Sequence, residues 1–151
     1  IANINSPNQI VISGEKNTVD NALITAKSIG VKAISLKVSG AFHSPLMKTA
    51  VKPLKNILNE INFNNAKVPI YQNYSSKPEI NSHIIKDNII NQLENTVLWN
   101  KIINNIIENN IYHFIEVGSG NVLKGLNRRI NPQAVNLEIN KLINTTQSIE
   151  A

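Results

Sequence analysis

The chain is 151 residues long and 42% hydrophobic, with fifteen Lys and Arg against ten Asp and Glu and a formal net charge of +5. That length can bury a core and suits one domain, or parts of two, and it contains no run of eighteen apolar residues that could cross a membrane. The lack of cysteine excludes disulfides, cysteine-ligated metals and thiol catalysis. The basic residues are too scattered for a nucleic-acid surface, since only Arg128 and Arg129 are adjacent and aromatics make up just 5%.

In chain order, Ile10-Val11-Ile12 is a short apolar run closed by Ser13-Gly14 and predicts a strand. The preceding Asn3-Ile4-Asn5-Ser6-Pro7-Asn8-Gln9 reads as a polar loop. From an N-cap at Asn17 or Thr18, Val19, Ala22, Leu23 and Ala26 share one helical face, and Gly30 supplies the stop. Ile34, Leu36 and Val38 alternate with polar residues, the period of a half-buried strand. Residues 10–38 therefore predict a β-α-β unit.

Beyond Gly40 the pattern lengthens. Ser44 is a good N-cap and Pro45 a good first helical residue. A stripe of Leu46, Met47, Val51, Leu54, Ile57, Leu58 and Ile61 follows, with Pro53 predicting a kink or a split into two helices. Val68-Pro69-Ile70-Tyr71 predicts a short edge strand. Ile84, Ile85, Ile89 and Leu93 mark a helix, and a second one runs from Asn95-Thr96 to Asn109. Tyr112 to Val117 is a predicted strand, and Gly118-Ser119-Gly120 turns into a helix carrying Val122, Leu123 and Leu126. The last dozen residues look weakly ordered. Alternating strands and helices predict an α/β fold, with a subdomain boundary near Ser39–Gly40.

His43 is the residue of greatest chemical interest. It stands just before an N-cap, off any apolar stripe, where an imidazole is available as a general base. Position alone does not decide, because loop histidines are as readily structural. His83, opening a helix, and His113, inside a strand, read as structural or exposed. No histidines or carboxylates have metal-ligand spacing, so no metal site is expected. The Gly118–Gly125 turn fails the dinucleotide pattern, with Leu123 at its third glycine position, and lacks the Gly-Lys-Ser/Thr of a phosphate-binding loop. It reads as a tight turn into a helix.

Taken in order, Ala2 to Gly14, Val38 to Met47, Gln92-Leu93 before Val97-Leu98-Trp99, and Glu116 to Leu126 resemble the C-terminal half of the malonyl-CoA:acyl carrier protein transacylases and related acyltransferase domains. The resemblance runs from residue 2 to about residue 138. It implies that residues 1–38 belong to a small ferredoxin-like subdomain and residues 39–151 to the C-terminal part of a large α/β-hydrolase-like subdomain, with a site between them. It implies ping-pong transfer of malonyl from coenzyme A to the phosphopantetheine thiol of acyl carrier protein through an acyl-serine, with no cofactor and no metal. His43 falls on the family's catalytic base and Gln92 on the residue whose backbone carbonyl orients it. Phe42 and Asn5 fall on substrate-binding positions. The ring of Phe42 would favour malonyl over α-branched acyl groups by leaving little room beside the substrate Cα.

The family's Gly-His-Ser-Leu-Gly nucleophile motif, its Gly-Gln-Gly loop and its carboxylate-binding arginine do not occur in this chain. Ser44, Ser75 and Ser119 do not lie on a strand-to-helix elbow and cannot replace that serine. The chain, beginning with Ile1 and without a basic-then-apolar leader, reads as a cut inside a longer protein and as inactive by itself. Its expected partners are acyl carrier protein, whose acidity suits the positive charge, and malonyl-CoA. Nucleic acid and membrane are not expected partners. A monomer is expected at full length, in a bacterial cytoplasm or a plastid stroma, since the richness in Asn, Ile and Lys, as in Asn104-Asn105-Ile106-Ile107-Glu108-Asn109-Asn110, suits AT-rich coding. The competing reading is a non-catalytic basic α/β binding module.

Overall fold

The computed structural model describes residues 1–137. The expected weak order of the last dozen residues lies outside them. The chain opens with a hairpin of β1 (Asn3–Ser6) and β2 (Gln9–Val11), turning at Pro7-Asn8. The predicted polar loop is thus largely a strand. Its register pairs Asn3 with Val11, Ile4 with Ile10 and Ser6 with Gln9, leaving Asn5 as the extra residue of a bulge. Asn and Ser side chains hid the strand from a propensity reading. What stabilises it is tertiary: Ile4 N–H donates to the Val97 carbonyl (2.9 Å) and Val97 N–H to the Ala2 carbonyl (2.8 Å).

Helix α1 (Lys16–Ser28) follows and ends where Gly30 predicted. Gly30, at φ 76, donates to the Lys27 carbonyl and Val31 to that of Ala26, the paired bonds that close a helix C-terminus through a left-handed residue. The predicted strand at 34–38 does not form, so there is no β-α-β unit over 10–38. Its alternation is real, but a strand also needs a neighbour to take its backbone bonds. None pairs with it among the described residues, and Ile34, Leu36 and Val38 are 71%, 57% and 64% exposed.

Ser44 caps a short 3-10 turn, Pro45–Met47. Helix α2 (Lys48–Glu60) then runs through Pro53 without interruption, so the division into short and long pieces comes at Met47–Lys48 instead. A small hairpin pairs β3 (Ile70–Tyr71) with β4 (Pro78–Glu79). Helix α3 (Ser82–Asn91) is capped by the Asn81 side chain, which accepts from His83 and Ile84 N–H. Helix α4 (Trp99–Glu108) begins later than the expected start at Asn95-Thr96, because Val97 is held extended in a parallel bridge with Asn3.

A β-α-β unit does exist, at the other end of the chain. Strand β5 (His113–Ile115) leads through α5 (Val122–Ile130) to β6 (Val135–Leu137), and the two strands pair in parallel. The core lies beneath this unit. Ile103, only 1% exposed, clusters with Ile107 and Ala134, and Trp99, Tyr112, Phe114 and Ile130 pack around them. Trp99 Nε1–H donates to Asn127 Oδ1 (3.2 Å), and Asn127 Nδ2–H to Asn136 Oδ1 (3.1 Å), so buried Asn127 is satisfied from both neighbouring elements, whereas Asn100 Oδ1 in α4 is buried without a partner. The architecture is mixed α/β. Among the described residues no helix is long and apolar enough to cross a membrane.

Asn110 ends α4 as Gly30 ends α1: at φ 62 it donates to the Ile107 carbonyl, and Ile111 to that of Ile106. Asn110→Ala and Asn110→Gly both lose the bond from Tyr112 O–H to Asn110 Oδ1 (3.3 Å), but only Ala adds the left-handed strain. Asn110→Ala is therefore expected to be less stable than Asn110→Gly by about 1 kcal/mol, a difference that urea denaturation of the two variants measures.

Candidate active site

His43 sits in the loop between the unpaired 31–40 segment and the Pro45 turn. Its backbone is at φ 59, one of three non-glycine residues with positive φ among those described. A β-carbon is disfavoured there by roughly 1–3 kcal/mol, so the surroundings must impose the conformation. Three hydrogen bonds do so. Ser44 Oγ–H donates to the Ala41 carbonyl (2.6 Å), Ser13 Oγ–H donates to the Phe42 carbonyl (2.8 Å), and the His43 ring bonds Gln92. Ser44 Oγ also accepts from Leu46 N–H (3.3 Å), as its N-cap reading anticipated.

The bond to Gln92 defines the chemistry. His43 Nδ1 lies 2.8 Å from the Gln92 carbonyl oxygen. A carbonyl only accepts, so Nδ1 carries a proton, and the tautomer this selects has its lone pair at Nε2. Gln92 is the C-cap of α3. Carbonyls at a helix C-terminus lack an intrahelical donor and carry the negative end of the helix dipole. The Gln92 oxygen thus supplies orientation and partial negative charge where other histidine-based sites use a carboxylate.

Behind it lies a polar brace. Asn73 Nδ2–H donates to Gln92 Oε1 (3.4 Å), while the Asn73 carbonyl accepts from Leu98 N–H (3.0 Å). Buried Asn88 donates to Gln72 Oε1 (2.9 Å), and Gln72 Nε2–H donates to the Ile85 carbonyl (2.9 Å). Residues 72–73 therefore grip α3 and the start of α4 together. Ser13, Gln72, Asn73 and Asn88 all escaped the sequence reading, because a side chain bonding a distant backbone group leaves no periodic trace.

Of the four residues singled out from sequence, His43 and Gln92 are in direct contact. Phe42 is half-exposed, with its ring against Gly40. Asn5 occupies the β1 bulge, beside Ser6, whose Oγ is buried without a partner. His83 and His113 are exposed, as expected of structural positions. Among the described residues no three His, Asp or Glu cluster as metal ligands would.

The Gly118–Gly120 turn is built as its glycines require, with Gly118 at φ 143 and Gly120 at φ 91. Glu116 spans it: its two carboxylate oxygens accept from Leu123 N–H (3.1 Å) and Lys124 N–H (2.9 Å), satisfying the free donors at the start of α5.

Residues 1–145 match the acyl transferase domain family. The chain belongs to that family. It is 40% identical over 131 residues to the malonyl CoA-acyl carrier protein transacylase of Staphylococcus aureus, a match covering 86% of this chain and 42% of the relative. The acyl-carrier-protein-S-malonyltransferase structure from Bartonella henselae superposes with a TM-score of 0.90 at 35% identity, over 100% of this chain and 49% of that one. A type II polyketide acyl-carrier protein in complex with its malonyl-transacylase gives a TM-score of 0.86 at 36% identity, over 92% of this chain and 45% of that one. The chain thus spans less than half the length of the relatives it matches.

Glu116→Ala removes both acceptors at once. Faster amide hydrogen exchange at Leu123 and Lys124 is the expected result, with rates inside α4 unchanged; equal protection in the variant would show that Glu116 does not hold the turn.

Proposed function

We propose that this chain is the C-terminal half of a malonyl-CoA:acyl carrier protein transacylase, and that His43 is its general base and acid. The 2.8 Å bond from His43 Nδ1 to the Gln92 carbonyl carries the reading, because it leaves Nε2 free to accept a proton. The nucleophilic serine comes from the part of the enzyme outside this chain, and so do the carboxylate-binding arginine and the Gly-Gln-Gly loop.

In the first half-reaction His43 Nε2 takes the serine proton as the oxygen attacks the malonyl thioester. The tetrahedral intermediate then collapses to acyl-serine, and the coenzyme A thiolate leaves with the proton held by His43. In the second, His43 deprotonates the phosphopantetheine thiol, which attacks the acyl-serine, and the proton returns to the serine oxygen. The positive charge that builds is one imidazolium, which the Gln92 carbonyl at the end of α3 stabilises, and the oxyanion of the tetrahedral intermediate is left to donors outside this chain. No cofactor is required by these steps. Acyl carrier protein is the proposed acceptor, as in the similar transacylase complex, and the excess of cationic residues suits an acidic partner.

Residues 1–38 are proposed to complete a ferredoxin-like subdomain and residues 39–151 the large α/β-hydrolase-like one. His43 then stands just past the crossing, and the bonds from β1 to Val97 form a seam between the two. Phe42 and Asn5 are assigned to substrate. The exposed alternation at Ile34, Leu36 and Val38 is assigned to pairing within the whole small subdomain. A bacterial cytoplasm or plastid stroma, both homes of dissociated fatty-acid synthesis, is the proposed setting.

In the full-length enzyme His43→Ala is expected to lower kcat for malonyl transfer by about 10²–10⁴-fold. Gln92→Ala keeps the accepting carbonyl and is expected to cost less than about tenfold; equal losses would remove the backbone from this role. Phe42→Ser is expected to narrow the malonyl-to-methylmalonyl rate ratio by about tenfold or more, and an unchanged ratio would free Phe42 from substrate selection.

A further inference from the structure

The left-handed backbone of His43 has to be held from outside its own loop. The torsion φ of His43 is the rotation of its Cα against the Phe42–His43 peptide plane, and the carbonyl of that plane belongs to Phe42. With no hold on this carbonyl, an L-residue at φ 59 relaxes towards negative φ. That rotation swings Cβ, and the imidazole with it, away from Gln92. Ser44 acts one peptide earlier, on the Ala41 carbonyl. The Phe42 carbonyl is held by Ser13 Oγ–H at 2.8 Å, from twenty-nine residues away.

Ser13 is itself well anchored. It lies two residues beyond β2, where Val11 pairs with Asn3 and its carbonyl accepts from Ala2 N–H (2.8 Å). On its other side β1 is bonded to Val97, five residues beyond Gln92: Val97 N–H donates to the Ala2 carbonyl, and the Val97 carbonyl accepts from Ile4 N–H. The circuit therefore closes: Ser13 holds the backbone of the histidine, Gln92 holds its ring, and the β1–Val97 bonds fix Ser13 relative to Gln92.

We infer that Ser13 is a positioning residue, whose hydroxyl keeps the Phe42–His43 peptide in the orientation that lets the imidazole meet the Gln92 carbonyl. The inference deepens the transacylase reading and rests on it for its kinetic readout. It assigns Ser13 no contact with substrate; the residue acts through His43.

Ser13→Ala and Ser13→Thr in the full-length enzyme test it. Ser13→Ala is expected to lower kcat by at least about tenfold with KM for the thioester donor within about twofold, and Ser13→Thr, which keeps a hydroxyl, to restore most of the rate. A wild-type kcat in Ser13→Ala overturns the inference. So does an equal loss in both variants, or a loss that tracks a fall in Tm. A second measurement is independent of turnover. NMR of isotope-labelled histidine reads the hydrogen-bonded Nδ1–H of His43, identified by its disappearance in His43→Gln. That proton is expected to be protected in wild type and Ser13→Thr and to exchange faster in Ser13→Ala; identical protection in all three overturns the role of Ser13. If the wild-type enzyme transfers no malonyl, the functional reading fails instead, and the NMR comparison still decides whether Ser13 positions the ring.

Discussion

The peptide of Val97 is the constraint on which the rest depends. Its N–H and C=O are both committed to the first strand, through Ala2 and Ile4. A buried backbone group that loses its partner costs on the order of 1–3 kcal/mol, so this double attachment resists separation. It sets the start of α4, since a residue held extended cannot also be helical, and it brings the hairpin against α4 and α5. It also fixes the distance between the two structures that grip His43. Residues 13 and 92, which both bond His43, are tied to each other through the bonds between residues 2–4 and Val97.

The second constraint is the choice of a carbonyl to orient the histidine. A carboxylate buried against an imidazole must be desolvated and balanced by further donors. A peptide oxygen at a helix C-terminus carries a smaller charge and needs no such compensation. It cannot titrate, so the tautomer of His43 does not depend on a second ionisation. Its weakness is that a main-chain atom is only as well placed as the element that bears it. The bonds that join the Gln72 and Asn73 side chains to Ile85 and Asn88 within α3 and to Gln92 at its end answer that weakness. They make the last turn of a ten-residue helix as well located as a side chain within a core.

What was legible in the sequence followed from local rules. Gly30 as a helix stop, Ser44-Pro45 as a helix start, the stripe of Val51, Leu54, Ile57 and Leu58 in α2 and the glycine turn before α5 each depend on a few neighbouring residues. His43 stood out by its position before an N-cap, but its pairing with Gln92 was legible only by resemblance, because forty-nine residues separate them and nothing in their spacing joins them. β6 was missed: Val135-Asn136-Leu137 is too short to show a period, and it is a strand because β5 lies beside it. β1 was missed for the same reason. Asn3, Asn5 and Ser6 favour turns when judged alone, and pairing on two sides overrides that preference.

Ile34, Leu36 and Val38 show the converse case, in which the pattern is present and the strand is not. Alternation specifies that one face is to be buried. It does not specify the neighbour that receives the backbone bonds, and strand formation requires both. A helix takes its backbone bonds from within itself, so its pattern shows without a neighbouring segment, as in α1, which has no fully buried residue. A strand is a property of two segments. Where a chain spans less than half the length of its relatives, helices are the elements expected to look the same in part and whole, and strands the elements expected to differ.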